Sequence, residues 1–160
     1  YNLGLVHQIL ENTDKAVFFL QKAHGIDETV FEVELLLGHL LFKAGKHDQA
    51  LPHLETASRL NPESGLAFRT LGEIFLDRKE LDKAGAAFNA AVKLKPADGI
   101  ALSGYALSMA LRKRNLKIAL TFAKKSVALE PENTIFKERL EQVRQLTKPS
   151  QSHDRTRKYA

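Results

Sequence analysis

A small residue recurs every 34 positions along this chain, and this period constrains the fold more than any other feature of the sequence. The first series is Gly4, Gly38, Gly72 and Ala106. Other positions keep the same step, namely Ala16, Ala50 and Ala84, then Ala23, Ala57 and Ala91, and then Leu20, Leu54 and Phe88. A fixed period of this length is typical of stacked helical hairpins, none of which can bury its apolar face alone. The chain is therefore predicted to be a helical repeat array that presents a binding surface.

The third period indicates why the small residues recur. Gly72 lies on one predicted helix and Ala84 on the next, and without bulky side chains the two helices can approach at the short end of the usual ~8–10 Å. Pro96 is predicted to lie just inside the following helix, where its missing N–H is not needed. Three aromatic side chains are expected to fill the wider gaps between hairpins: Phe68, Phe75 and Phe88.

This pattern resembles the tetratricopeptide repeat family. The second period carries it as Leu37, Gly38, Leu41, Ala50, Leu54, Ala57 and Pro62, and the fourth as Leu102, Tyr105, Ala106, Met109, Ala119, Ala123, Ser126 and Pro131. The resemblance implies an all-α fold, a right-handed superhelical α-solenoid of antiparallel helical hairpins, with about four repeats and a C-terminal capping helix. The aromatic that usually opens the repeat is Glu34 in the second period and Leu102 in the fourth, so looser packing is expected there.

The resemblance also implies a domain organisation. A truncated first repeat occupies residues 1–30, and three further repeats occupy residues 31–64, 65–98 and 99–133, the last with one extra loop residue. The capping helix is expected in residues 134–147, followed by a disordered basic tail or linker in residues 148–160. Because Tyr1 falls within a predicted helix, we expect the sequence to be a piece of a longer protein.

Composition and charge exclude some classes of function. No stretch of about 18 apolar residues is present, so no membrane span is predicted. The absence of cysteine excludes disulfides and thiolate metal sites, and it is compatible with the cytosol or the periplasm. The net charge of +5 is due to the basic residues after position 110. We interpret these residues as a solvated loop and a solvated tail. The alternative is that they bind an acidic protein, an anionic membrane surface or nucleic acid. Phe122 is the one aromatic residue within the basic cluster at residues 112–125, and its apolar neighbours indicate that it faces inward, so nucleic acid is not expected to bind.

The sequence contains no pattern for catalysis, a metal ion or a cofactor. No two of the six histidines stand four residues apart, as a helical zinc pair would. His39 is the histidine predicted to face the groove, and it is expected to form hydrogen bonds, because nothing beside it completes a nucleophile–base pair. The glycines are spread at the repeat period and do not form a phosphate-binding loop. We therefore expect a protein that is not an enzyme.

In the family that the chain resembles, the first helix of each hairpin lines an inner groove. Carried over position by position, this groove consists of Leu35, His39, Phe42, Lys43, Leu66, Arg69, Glu73, Leu76, Ile100, Ser103 and Leu107. Its apolar stripe suits an extended peptide or a helix. Arg69 and Glu73 are four residues apart and are expected either to pair or to leave Arg69 for a ligand carboxylate. Alternatively, the terminal helix or a neighbouring repeat outside this sequence covers some of these residues.

The predicted function is that of a non-catalytic protein–protein interaction scaffold with a peptide-binding groove. The alternative is a substrate-recruiting module of a larger enzyme, for example a glycosyltransferase or another transferase. Self-association is a third interpretation, because a truncated hairpin exposes apolar surface. One branch of the family clamps the acidic tails of heat-shock chaperones with Lys and Asn, but the matching positions here hold Leu35 and His39 or Arg69 and Glu73. A chaperone tail is therefore not expected as the ligand.

Overall fold

Residues 13–148 are described by a computed structural model, and throughout this range the secondary structure is helical. The predicted start of the first repeat, including Gly4, and the basic tail after residue 148 lie outside the described residues. Within that range eight helices follow one another: α1 (Thr13–His24), α2 (Phe31–Lys43), α3 (His47–Leu60), α4 (Gly65–Asp77), α5 (Leu81–Leu94), α6 (Gly99–Leu111), α7 (Leu116–Leu129) and α8 (Thr134–Thr147). None of these described helices is long and apolar enough to cross a membrane.

Three of the described helices begin with a side-chain cap, and the three capping residues are spaced at about the repeat period. Ser64, Asp98 and Asn133 precede α4, α6 and α8, and each accepts a hydrogen bond from a backbone N–H in the first turn. These caps satisfy amide donors that the helix itself leaves unpaired. Pro96 lies in the turn before Asp98 and not inside α6, so the sequence prediction for it was wrong. Proline stands here because it cannot continue the preceding helix.

The helices pack as hairpins whose first members form an inner row. α2 packs on α3, α4 on α5 and α6 on α7. The first helices also lie close to one another, α2 to α4 and α4 to α6, whereas in these described hairpins no Cα atoms of the second helices α3, α5 and α7 come within 8 Å of one another. A stack whose first helices lie closer together than its second helices is curved, and its first-helix side is concave. The curvature therefore places α2, α4 and α6 along a groove.

The small residues of the period allow close approach between helices and hairpins. A Cβ atom added at Gly72 would lie 2.7 Å from Cδ1 of Phe88, and one added at Gly104 would overlap the same ring. Phe88 is fully buried between them, so it joins α5 to both α4 and α6. One period earlier, Gly38 meets Leu54 in the same way. In both repeats, therefore, the glycine of the 34-residue period lies on the first helix of the hairpin and contacts a large side chain of the second helix.

Helix α8 covers the last hairpin. Its Leu140 and Val143 share a buried cluster with Leu107 and Met109 of α6, and Phe136 packs so tightly that a Cβ at Gly99 would lie 2.5 Å from Cε2 of its ring. Helix α8 contacts both α6 and α7. The predicted all-α helical repeat solenoid is confirmed.

Candidate functional site

The predicted groove residues all lie on the inner row of helices. The α2 set is Leu35, His39, Phe42 and Lys43, the α4 set is Leu66, Arg69, Glu73 and Leu76, and the α6 set is Ile100, Ser103 and Leu107. Lys43 is exposed, and most of the others are half-buried. Ser103 is fully buried and Leu107 is 7% exposed, and both lie on the helix that α8 covers. The α6 part of the predicted groove is therefore largely closed, while the α2 and α4 parts remain accessible.

An arginine of α8 reaches across α6 to α4. Both terminal nitrogens of Arg139 donate hydrogen bonds to Glu73, Nη1 to Oε1 at 2.9 Å and Nη2 to Oε2 at 2.6 Å. Nη1 also donates to Oγ of Ser103 at 3.1 Å. The two charged side chains are only 14% and 17% exposed, so this bidentate pair is shielded from solvent. Glu73 is thus engaged within the protein.

Sequence reasoning did not identify Arg139 as part of the groove. Its place in the sequence nevertheless indicates a buried position. Arg139 stands three residues after Phe136 and four before Val143, and both of these residues are buried. A residue at this spacing lies on the buried face of the helix. A charged residue on that face indicates an internal partner, but the pattern does not say which carboxylate that partner is.

Arg69 also finds its partner on a neighbouring helix. Its Nη1 lies 3.0 Å from Oδ2 of Asp98, whose other oxygen accepts the Ala101 backbone N–H at the start of α6. The expected pair between Arg69 and Glu73 does not form, because Asp98 and Arg139 each offer a less exposed, interhelical contact. Arg69 therefore ties α4 to α6, and only part of its guanidinium faces the groove.

His39 is a neutral polar group in the accessible part of the groove. Burial lowers the pKa of His39 below its usual value, and the nearby charges of Lys43 and Arg69 lower it further. A neutral imidazole can both donate and accept a hydrogen bond. Its Nδ1 is 3.5 Å from Oγ1 of Thr70, and that hydroxyl donates to the Leu66 carbonyl oxygen at 2.8 Å. The Thr70 hydroxyl is therefore held by the backbone and is not activated by His39.

A second polar cluster lies at the junction of α1, α2 and α3. The carboxylate of Glu34 is buried, with 1% of the side chain exposed. Nδ1 of His24 lies 2.5 Å from its Oε1, and Nδ1 of His53 lies 2.9 Å from its Oε2. Looser packing was expected at Glu34, yet the residue is fully buried with both oxygens engaged. A search for histidines four residues apart could not find this cluster, because its members come from three helices.

Comparison with known sequences gives one family. Two family models, each described as Tetratricopeptide repeat, match residues 1–29 and 35–99, which together make up more than half of the chain. The Cell division cycle protein 27 homolog of Caenorhabditis elegans is 35% identical over 88 residues, covering 55% of this chain and 11% of that protein. The Peroxisomal targeting signal receptor of Saccharomyces cerevisiae is 31% identical over 78 residues, covering 49% and 13%. The chain thus spans a small part of these curated relatives.

Solved structures give the same fold. YrrB, a TPR protein with an unusual peptide-binding site, superposes with a TM-score of 0.70 at 23% identity, covering 84% of this chain and 69% of that one. The first TPR of Spaghetti (RPAP3), bound to an HSP90 peptide, superposes with a TM-score of 0.63 at 22% identity, covering 72% and 90%. At these identities the likeness concerns the fold and does not extend to the ligands.

Proposed function

Because the chain belongs to the tetratricopeptide repeat family, we propose that it is a non-catalytic scaffold that binds a peptide or helix of a partner protein in its concave groove. The fold itself is that of a protein–protein interaction module. The observation that carries the proposal is the row of half-buried apolar side chains on the inner helices. Leu66 and Ile100 occupy equivalent positions of the adjacent helices α4 and α6. Apolar surface gathered in a groove in this way is typical of a binding site.

The polar residues of the groove suggest what kind of segment fits. Lys43 is exposed beside the half-buried Phe42, so a partner carboxylate or carbonyl oxygen can approach it. The neutral imidazole of His39 favours a hydrogen bond over an ion pair. We therefore propose a ligand with apolar anchors and few charges. A chaperone tail of acidic residues fits less well, because Leu35 and His39 stand where the chaperone clamp has Lys and Asn.

Two carboxylates beside the groove, those of Glu73 and Asp98, support a binding role over catalysis. Glu73 is held by Arg139, and Asp98 is held by Arg69 and the start of α6. A general acid or base needs a group that is free to exchange a proton with substrate. An enzyme that recruits its substrate through this module would use the same groove, with the catalytic groups elsewhere in a longer chain.

The test is affinity for a peptide selected on this chain from a displayed peptide library. We expect Leu66→Ser/Ile100→Ser to weaken binding at least tenfold, because both apolar anchors of the groove are lost. The matched control is Leu60→Ser/Ile118→Ser, which removes two exposed apolar side chains from the second helices α3 and α7. Phe42 and Leu76 are less suitable probes, because both pack against the buried core and their loss would perturb folding.

Binding is measured by calorimetry, with thermal unfolding as the check on each variant. The proposal requires that the control variant binds the peptide as tightly as the wild type does. It also requires that the groove variant is folded but binds the peptide weakly. Equal affinity of both variants for the peptide would contradict it, since the ligand would then lie outside the groove.

A further inference from the structure

We propose that His24, Glu34 and His53 form a binding site for one Zn²⁺ ion, or a similar divalent transition metal, which fastens α1 to the second hairpin. This site is separate from the groove and does not depend on the function proposed above. It was not anticipated from the sequence, which lacks the short histidine spacing of common zinc motifs.

The ligand atoms of the three residues already converge. One nitrogen of each imidazole and one carboxylate oxygen all lie within 4.8 Å of one another. The two rings stand edge to face with centroids 4.9 Å apart, and their Nδ1 atoms face opposite oxygens of Glu34. Zinc bonds of ~2.0–2.1 Å in a tetrahedral site put neighbouring ligand atoms about 3.3 Å apart. The 2.5 and 2.9 Å contacts therefore need to open by less than about 1 Å, and a separation near the 4.8 Å limit needs to close by about 1.5 Å, to admit the ion.

The donor set selects the kind of metal. Two imidazole nitrogens and one carboxylate oxygen suit Zn²⁺ and its neighbours among the transition metals. Ca²⁺ and Mg²⁺ prefer oxygen ligands and are not expected to bind. The side chains of His24 and His53 are 30% and 17% exposed, so an ion can enter from solvent and keep a water as its fourth ligand. The site is thus accessible although its carboxylate is buried.

The burial of Glu34 is the electrostatic argument for a cation. The equivalent positions of the next two repeats, one and two periods after Glu34, hold the apolar residues Phe68 and Leu102. An ionised carboxylate that is withdrawn from water is strongly destabilising unless its charge is compensated. A divalent ion would supply that compensation, with both imidazoles bound in their neutral form. The competing arrangement is compensation by hydrogen bonds from the imidazoles alone, and metal titration separates the two.

A further carboxylate is placed to orient one ligand. Nε2 of His24 lies 3.9 Å from Oε1 of Glu28, on the side of the ring away from Glu34. Metal-binding histidines commonly direct their second nitrogen at such a group, which fixes the orientation of the ring. With Nδ1 on the ion, the Nε2–H of His24 would point toward Glu28. The ion itself would join the end of α1, the first turn of α2 and the middle of α3.

The first experiment is a competition titration of the full, tag-free chain with a chromophoric zinc chelator at neutral pH. We expect the wild type to take up one Zn²⁺ per chain and His24→Gln to bind about tenfold more weakly or worse. His24 is a suitable first choice, because it is partly exposed and its loss is tolerated better than that of Glu34. The control is His7→Gln/His47→Gln/His153→Gln, which retains the three ligands and is expected to bind like the wild type.

A second measurement keeps the proposal testable if a variant is destabilised. Co²⁺ in a tetrahedral nitrogen and oxygen site gives a strong visible absorption band, and Zn²⁺ should raise the Tm of the wild type by several degrees. Both effects should be smaller for His24→Gln or His53→Gln at the same metal concentration, and absent with Mg²⁺ in place of Zn²⁺. The inference is overturned if the wild type binds no Zn²⁺, or if His24→Gln binds it as tightly as the wild type does.

Discussion

Arg139 on α8 binds both carboxylate oxygens of Glu73 on α4, across the intervening helix α6, with nitrogen–oxygen distances of 2.9 and 2.6 Å. This contact ties the last helix of the array to the first helix of the third repeat. It closes the concave side at the C-terminal end, where Ser103 lies beneath the guanidinium. The accessible groove is therefore the part formed by α2, α4 and the first turn of α6, where Ile100 is half-buried.

The first prediction concerns this pair. In a double-mutant cycle with Arg139→Met and Glu73→Gln, we expect a coupling free energy on the order of 1 kcal/mol, because the pair is bidentate and largely shielded from solvent. The free energies of unfolding come from urea denaturation. The control cycle is Arg144→Met with Glu141→Gln, a half-exposed pair on the outer face of α8 whose coupling should be within error of zero. Equal coupling free energies in the two cycles would contradict the prediction, because the contact across α6 would then stabilise the protein no more than an exposed pair does.

The second prediction concerns the close approach of α4 and α5. Gly72→Ala would place its Cβ 2.7 Å from the ring of Phe88, which is buried and cannot move away. We expect a loss of about 1–3 kcal/mol in the free energy of unfolding, and a larger loss for Gly72→Leu. Gly65→Ala in the same helix is the control, since its nearest neighbour would be 3.9 Å away. If both alanine variants melt at the wild-type temperature, the tight contact is absent.

The third prediction concerns the turn between the helices of a hairpin. Gly45, Lys79 and Lys113 stand one period apart and all have positive φ, at 73°, 59° and 53°. Because side chains disfavour this left-handed conformation, Lys79→Gly should stabilise the protein by about 1 kcal/mol. Lys124→Gly, within α7, should instead cost about 1 kcal/mol. Chemical denaturation measures both, and a destabilised Lys79→Gly would contradict the turn geometry.

The fourth prediction concerns the protonation of His39. Its pKa is lowered below 6.5, first by burial and then by Lys43 and Arg69, so the unfolded chain binds a proton there more readily than the folded one. The stability due to neutral His39 is therefore complete above pH 6.5 and is lost as the pH falls toward the lowered pKa. An NMR titration of the ring should give a pKa below 6.5, and Lys43→Gln should raise it. Lys124→Gln, on the distant helix α7, should leave it unchanged.

The fold could be predicted from the sequence because each repeat uses the same local contacts. The period of Gly38 and Gly72 marks where a glycine of the first helix meets Leu54 or Phe88 of the second. Such contacts join residues that are close in sequence, and they occur in both the second and the third repeat. The helix order followed from them, whereas the assignment of residues to the inner row came from the family resemblance.

The polar contacts could not be predicted, because they join residues that the period does not relate. Arg139 and Glu73 are 66 residues apart, and their meeting depends on how α8 packs against α6. His24, Glu34 and His53 come from three helices, and Glu34 occupies a position that is apolar one and two periods later, at Phe68 and Leu102. Charged residues placed on buried helix faces were the available signal, and they indicate that a partner exists without identifying it.

The central claim is that a peptide binds along the inner helices, and hydrogen–deuterium exchange of the chain with and without its selected peptide tests it most directly. We predict that the peptide slows exchange in α2, α4 and the first turn of α6, whose inner sides form the accessible groove, and leaves the second helices α3, α5 and α7 unchanged. Protection confined to those second helices would contradict the account, because the ligand would then occupy the convex side.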